Sequence, residues 1–163
     1  GIMAVGAVLA VHWTTFFQSI QVSSVAIGTI TFSTFPLFIT FMEPIVFHEK
    51  LKMKSVVSAA ILLLGVAITI PEFSVENQVT VGIIWGMISS LTYAVITMAN
   101  RYFSRKYEGR VVSFYEQGTA ALVLLPVAFV VPTVWRTQDI LGVAFIGCFC
   151  TAFAYSLYVS AQI

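Results

Sequence analysis

GIMAVGAVLAVHWTTFFQSIQVSSVAIGTITFSTFPLFITFM, residues 1–42, contains no Asp, Glu, Lys or Arg. Drawn out as one helix, this run would measure roughly 63 Å, about twice the ~30 Å hydrocarbon core of a bilayer. It must fold back on itself, and the polar cluster Gln18, Ser19, Gln21, Ser23 and Ser24 marks the turn. Two apolar helices result: span a over residues 2–20 and span b over residues 25–47. The same reading carried outward gives span c over 55–71, ending at Pro71, span d over 81–100, span e over 111–131 and span f over 140–162. Barrel strands would need about ten residues with strict alternation, and these runs are longer and do not alternate. The expected fold is an all-α integral membrane protein, a multi-span helical bundle with six spans.

Composition agrees. Of 163 residues, 59% are hydrophobic and 9% charged, where a soluble domain carries roughly 25% charged residues. Such a chain is excluded as a cytosolic enzyme, a nucleic-acid binder or a disordered segment. Its net charge of +1 points to no polyanionic partner. Cys148 and Cys150 lie two apart in an apolar stretch and are expected as small buried hydrophobes. The chain opens at Gly1 and stops at Ile163 inside apolar runs without charged flanks, so an internal piece of a longer protein is expected.

The basic residues give the threading. Lys50, Lys52 and Lys54 fall on the b–c connection, and Arg101, Arg105, Lys106 and Arg110 on the d–e connection. The a–b and c–d connections carry no Lys or Arg; the latter holds Glu72 and Glu76. The e–f connection carries Arg136 and Asp139, so seven of the eight basic residues fall on alternate connections, which places b–c and d–e on the cytoplasmic side. Span f also resembles span a at an offset of 141: Gly1, Gly6, Ser19 and Gln21 meet Gly142, Gly147, Ser160 and Gln162. A repeat with five crossings is inverted in the membrane, an architecture of secondary transporters whose solute site lies near the midplane.

The stretch 12–70 resembles the EamA module of the drug/metabolite transporter superfamily. It holds His12-Trp13-Thr14-Thr15-Phe16-Phe17, then Pro36-Leu37 within span b, Glu49 in His48-Glu49-Lys50-Leu51, and Leu64-Gly65-Val66. The stretch from Gly82 is similar to the opening of a second module: Gly82, Gly86, Ser89-Ser90, Tyr93-Ala94 and Asn100-Arg101. The resemblance implies a ten-helix transporter of two inverted five-helix repeats with cytoplasmic termini. Spans a–f then correspond to helices three to eight. Residues 1–74 form the C-terminal part of the first repeat, and residues 80–163 the N-terminal part of the second. It also implies a cell-membrane protein that moves small metabolites, often amino acids or their derivatives, in many cases outward.

Polar residues at helical spacing supply the candidate path. Span b offers Thr29, Ser33, Pro36, Thr40 and Glu43 on one face. Pro36 kinks the span and frees a carbonyl for solute or water, or else makes a plain packing kink. Span a offers His12 and Thr15, span d Ser90, Tyr93 and Thr97, span e Tyr115 and Glu116, and span f Thr151, Tyr155 and Tyr158. Polar groups inside lipid are costly and turn inward, although many hydroxyls simply bond their own helix. Desolvation favours a neutral carboxyl, so Glu116 or Glu43 could carry a coupling proton; the alternative is interfacial pairing with Lys50 or Arg110. Gly82, Gly86, Ser90 and Ala94 form a small-residue seam, either internal or between the copies of a homodimer. Lys52 stands where a zincin-like pattern begun by His48-Glu49 needs its second His, and no nucleophile elbow or Walker loop is present. No catalytic residue, metal or cofactor is therefore expected. The reading is a secondary-active transporter of small polar or amphiphilic solutes, working by alternating access and in the efflux direction, with the lipid bilayer and a small-molecule solute as partners. A receptor or assembly subunit without transport, or an intramembrane enzyme, is the alternative.

Overall fold

The computed structural model describes residues 1–68, 77–130 and 136–161. They form α1 (Ile2–Val22), α2 (Val25–Phe32), α3 (Phe35–Phe47), α4 (Met53–Ile68), α5 (Gln78–Phe103), α6 (Gly109–Val130) and α7 (Thr137–Phe145). A π-helical segment (Ile146–Phe153) and α8 (Ala154–Ser160) follow. No strand occurs among the described residues. Five helical stretches there are long and apolar enough to cross a membrane: Ile2–Val22, Val25–Phe47, Gln78–Phe103, Gly109–Val130 and Thr137–Ser160. The sixth expected span corresponds to α4, a shorter apolar helix of 16 residues. Its expected end at Pro71 lies outside the described residues, as do Ile70, Glu72, Glu76 and Gln162. The protein is a multi-span helical membrane protein.

The first turn falls where the polar cluster puts it. Ser24 caps α2, its hydroxyl accepting from Ile27 N at 3.2 Å. Span b is not one helix, however. It breaks at Ser33-Thr34, and Pro36 sits at the start of α3, where a missing N–H costs no helical bond. Thr29, Ser33 and Pro36 are exposed on either side of the break, and Thr40 and Glu43 are half-buried. α3 closes on His48 in the left-handed conformation (φ 56°), which turns the chain into the loop before α4.

The chain divides into two compact units, Val11–Met98 and Gly1–Ala10 with Ala99–Ile163. In the first unit, Ser19 meets Gly82 and His12 meets Ser89, so α1 runs antiparallel to α5. Thr34 bonds Ser90, and Thr31 abuts Gly86, so the α2–α3 span runs parallel to α5. In the second unit, Tyr155 reaches Glu116 and Ser156 reaches Ser113, which makes α6 antiparallel to α8. Ser104 bonds Val159 O at 3.2 Å, and Asn100 bonds Tyr155, which makes the end of α5 parallel to α8.

Small residues set these approaches. A Cβ on Gly86 would lie 2.7 Å from Thr31 Cβ, and one on Gly82 would collide with Ser23. The seam is thus filled inside the first unit, and a homodimer would need another surface. In the second unit, a Cβ on Gly6 would lie 2.6 Å from Glu116 O. Cys148 and Cys150 correct an expectation: both are exposed. No residue of the π-helical segment is buried, because that segment touches its unit along one flank only and turns the cysteines outward.

Gly86→Ala is expected to destabilise the full-length protein by about 1–3 kcal/mol, the usual cost of overpacking a tight contact. Gly118→Ala, with nothing within 4 Å of the new methyl, should leave the thermal midpoint in detergent unchanged or slightly raised. Equal midpoints for the two variants would remove the seam as a packing constraint.

Candidate functional site

Glu116 is the largest charged side chain with no exposure at all, and it lies within a membrane-crossing helix. α6 presents it on a buried face with Gly109, Val112, Ser113 and Ala120. Apart from the adjacent pair Val112 and Ser113, these residues follow at steps of three or four and so share one side of the helix. The Tyr155 hydroxyl, from α8, donates to Glu116 Oε2 at 2.9 Å. The Asn100 amide, from α5, donates to both carboxylate oxygens when its nitrogen faces them, at 3.2 Å for Oε2. In that orientation Asn100 Oδ1 faces the Tyr155 hydroxyl at 3.0 Å, so the one phenolic proton is shared between Asn100 and Glu116. Three helices therefore meet at one carboxylate. Arg110 is not its partner; that guanidinium pairs with Glu108 at 3.2 Å, both side chains being exposed.

A second polar group lies on the same faces of α6 and α8. Gln117 donates to Ser113 Oγ (2.8 Å) and to Thr151 O (3.4 Å), and Ser156 donates to Ser113 Oγ (3.1 Å). Thr151 belongs to the π-helical segment, whose wider winding offsets carbonyls from the ordinary helical ladder. Tyr158 has its ring 6.1 Å from that of Tyr155. Tyr115, half exposed, instead stacks edge-on against Phe114 and does not join the group.

In the unit Val11–Met98, His12 is buried, with Nδ1 at 3.0 Å from Ser89 O and 2.9 Å from Ser89 Oγ. The rings of Tyr93 (5.0 Å), Phe32 (5.3 Å) and Trp13 (5.7 Å) surround it. Thr15 donates to Val11 O and His12 O of its own helix, and Thr97 is buried on α5. Thr29, Ser33 and Thr40 likewise donate to carbonyls three or four residues back, at 2.7, 2.7 and 2.8 Å for their shortest bonds. Pro36 and Thr40 also line a cleft of about 230 Å³ against α4. Glu43 lines an adjoining recess with Lys50 and Lys52.

The carbonyl that Pro36 frees, Phe32 O, is taken by protein rather than left for solute. The Ser90 hydroxyl lies 2.7 Å from it and 2.9 Å from Thr31 O. Thr34 Oγ1 bonds Ser90 Oγ at 3.0 Å and Thr31 O at 2.7 Å. Ser90, expected on the path, thus caps the helix break. Thr34, Ser113 and Gln117 were not among the expected site residues. A helical projection of α6 would have placed Ser113 and Gln117 beside Glu116, whereas nothing in the composition marks Thr34.

The sequence matches the profile of the EamA-like transporter family over residues 1–70 and 80–162. The chain belongs to this family. The EamA-like chain is 29% identical over 142 residues to an uncharacterized transporter of Helicobacter pylori (strain ATCC 700392 / 26695), covering 81% of the chain and 46% of the relative. It is 26% identical over 127 residues to the uncharacterized transporter YxxF of Bacillus subtilis (strain 168), covering 76% and 40%. A third relative, an uncharacterized transporter of Archaeoglobus fulgidus, shares 23% over 111 residues, covering 68% and 40%. The chain spans less than half the length of these relatives. No solved structure matches it.

Ser90→Ala should cost about 1–3 kcal/mol, because it strips a donor from buried carbonyls. Thr29→Ala should stay within about 0.5 kcal/mol, because an exposed hydroxyl bonded to its own helix is dispensable. Thermal unfolding of the full-length EamA-like protein compares the two, and equal losses would refute the capping role of Ser90.

Proposed function

We propose that this EamA-like chain carries the central spans of a secondary-active transporter in the cell membrane. It moves small metabolites, amino-acid-like or other small polar or amphiphilic solutes, outward by alternating access. The observation that carries this reading is the fully buried Glu116 held by Asn100 and Tyr155 from two other helices. A carboxylate is costly in hydrocarbon and is retained where it does work on a solute or an ion. Family membership and the transporter names of the relatives support the class. In this reading residues 1–74 and 80–163 are parts of two inverted repeats.

Glu116 and Tyr155, with Thr151 and Tyr158 nearby on the α7–α8 stretch, form the polar part of the path. A carboxylate beside a phenol and an amide suits an ammonium or hydroxyl on the solute. The same carboxylate is the proton carrier. Taking up a proton removes its charge and weakens its hold on Asn100 and Tyr155, so the contacts between helices differ between the two protonation states.

Counterflow in proteoliposomes of the full-length protein, with amino acids and nucleobases as candidate solutes, tests the class. A hydrolytic activity or ligand binding without flux would replace transport by an enzyme or receptor reading. For coupling, Glu116→Gln should lower pH-driven flux by about tenfold, within the usual range of a coupling free energy, while exchange without a gradient persists. Undiminished pH-driven flux would exclude Glu116 as the carrier.

A further inference from the structure

The cleft between α3 and α4 is lined at its loop end by Lys54, Ser55 and Thr40, with Ser58 one turn further along α4. Its other end is apolar, with Pro36, Ala59 and Leu62. Thr40 and Ser55 also border the adjoining recess, where Lys50 and Lys52 stand with a single carboxylate, Glu43. From Lys54 to Leu62 is eight residues, about 12 Å along the helix, the step from a headgroup to the upper acyl region. Phe41 on α3 and Val57, Ile61 and Leu64 on α4 are large, apolar and exposed.

We propose that this cleft seats an anionic phospholipid, its phosphate at Lys54 and the Ser55 and Ser58 hydroxyls, and its glycerol and first acyl carbons along Ala59 and Leu62. Three features select this occupant. Lys54 supplies the positive charge that a basic pocket at the membrane surface offers a phosphate headgroup. Glu43 lies in the neighbouring recess and not in the cleft, so the anion belongs on the Lys54 side. The polarity falls along the cleft as it does along a lipid, so a free phosphate would leave the apolar end empty. The site is independent of the transport reading.

Native mass spectrometry of the full-length protein, titrated with phosphatidylglycerol or phosphatidylcholine, reads retained lipid directly. Phosphatidylglycerol should be retained preferentially. Lys54→Gln should weaken its retention about fivefold, the usual effect of one lysine near an anionic surface. Arg105→Gln, on another connection, should leave it unchanged. Ser58→Phe, which fills the cleft without altering charge at an exposed helical position, should abolish the preference. Equal retention of the two lipids, or retention indifferent to Lys54→Gln and Ser58→Phe, overturns the proposal. Displacement of phosphatidylglycerol by inorganic phosphate or glycerol 3-phosphate at comparable concentration would make the cleft a free-anion site and overturn the lipid assignment. Loss of transport with lipid retention intact would overturn only the proposed transport function.

Discussion

Hydrocarbon offers no hydrogen bonds, so every polar group that enters it must find its partner within the protein. Most of what is distinctive in this chain follows from that constraint. Thr15, Thr29, Ser33 and Thr40 return their hydroxyls to carbonyls one turn back, which hides them without involving a neighbour, whereas Ser19 reaches across to Gly82 O of α5. Where the helix itself breaks, at Ser33-Thr34, Thr31 O keeps the Thr34 N–H at 3.1 Å, but Phe32 O loses the N–H that Pro36 lacks. Ser90 from α5 supplies the hydroxyl instead. The break is thus stable only where another helix stands beside it, and α5 can stand there because Gly86, one turn earlier, leaves room for Thr31. A residue without a side chain and a residue with a hydroxyl, four apart on one helix, together accommodate one interruption in another.

The same logic governs helix association. Lipid is as apolar as leucine, so burying leucine against leucine gains little there, and close backbone approach does more of the work. The contacts in the described residues follow this pattern. Gly82 and Gly86 receive Ser23 and Thr31, Gly6 receives the backbone of Glu116, and Gly109 receives Ser160. Large apolar side chains, by contrast, are mostly turned outward: Ile45, Ile68, Phe129 and Val130 are at least 75% exposed. A soluble protein of this size would invert that arrangement, with its large aliphatic residues inside.

Much of this was legible in the sequence, and the illegible part has a physical cause. Apolar run length placed the five membrane-crossing stretches to within a few residues, because bilayer thickness imposes a length no soluble core demands. The polar cluster ending at Ser24 marked the first turn because a cap needs a hydroxyl there. Glu116 stood out because few carboxylates occur inside an apolar run. Pro36 signalled an irregularity, yet its consequence could not be read, since the fate of Phe32 O depends on Ser90, 58 residues away. The outward turn of Cys148 and Cys150 was likewise hidden: a π-helical winding leaves no compositional trace, and exposure depends on what packs alongside. His12 read as a candidate for the path because its partner Ser89 lies on another span.

Polar groups in these spans fall into two kinds, and the division bears on how such a protein moves. Thr15, Thr29, Ser33 and Thr40 bond their own helices, so they travel with them unchanged through any rigid displacement. Ser90, Asn100, Ser113, Gln117 and Tyr155 bond other helices, so any displacement that separates those helices must break the bonds or replace them. In hydrocarbon an unreplaced bond is expensive. Two stable arrangements therefore require either a second set of protein partners or the entry of water, an ion or a solute at that place. Glu116 is the most constrained of these groups, since α6 cannot part from α8 without stripping the Tyr155 hydroxyl from a carboxylate that has no exposure to water. A charge held in that way resists movement. In the proposed coupling, a proton on Glu116 removes that charge and lowers the resistance of the helices that meet there.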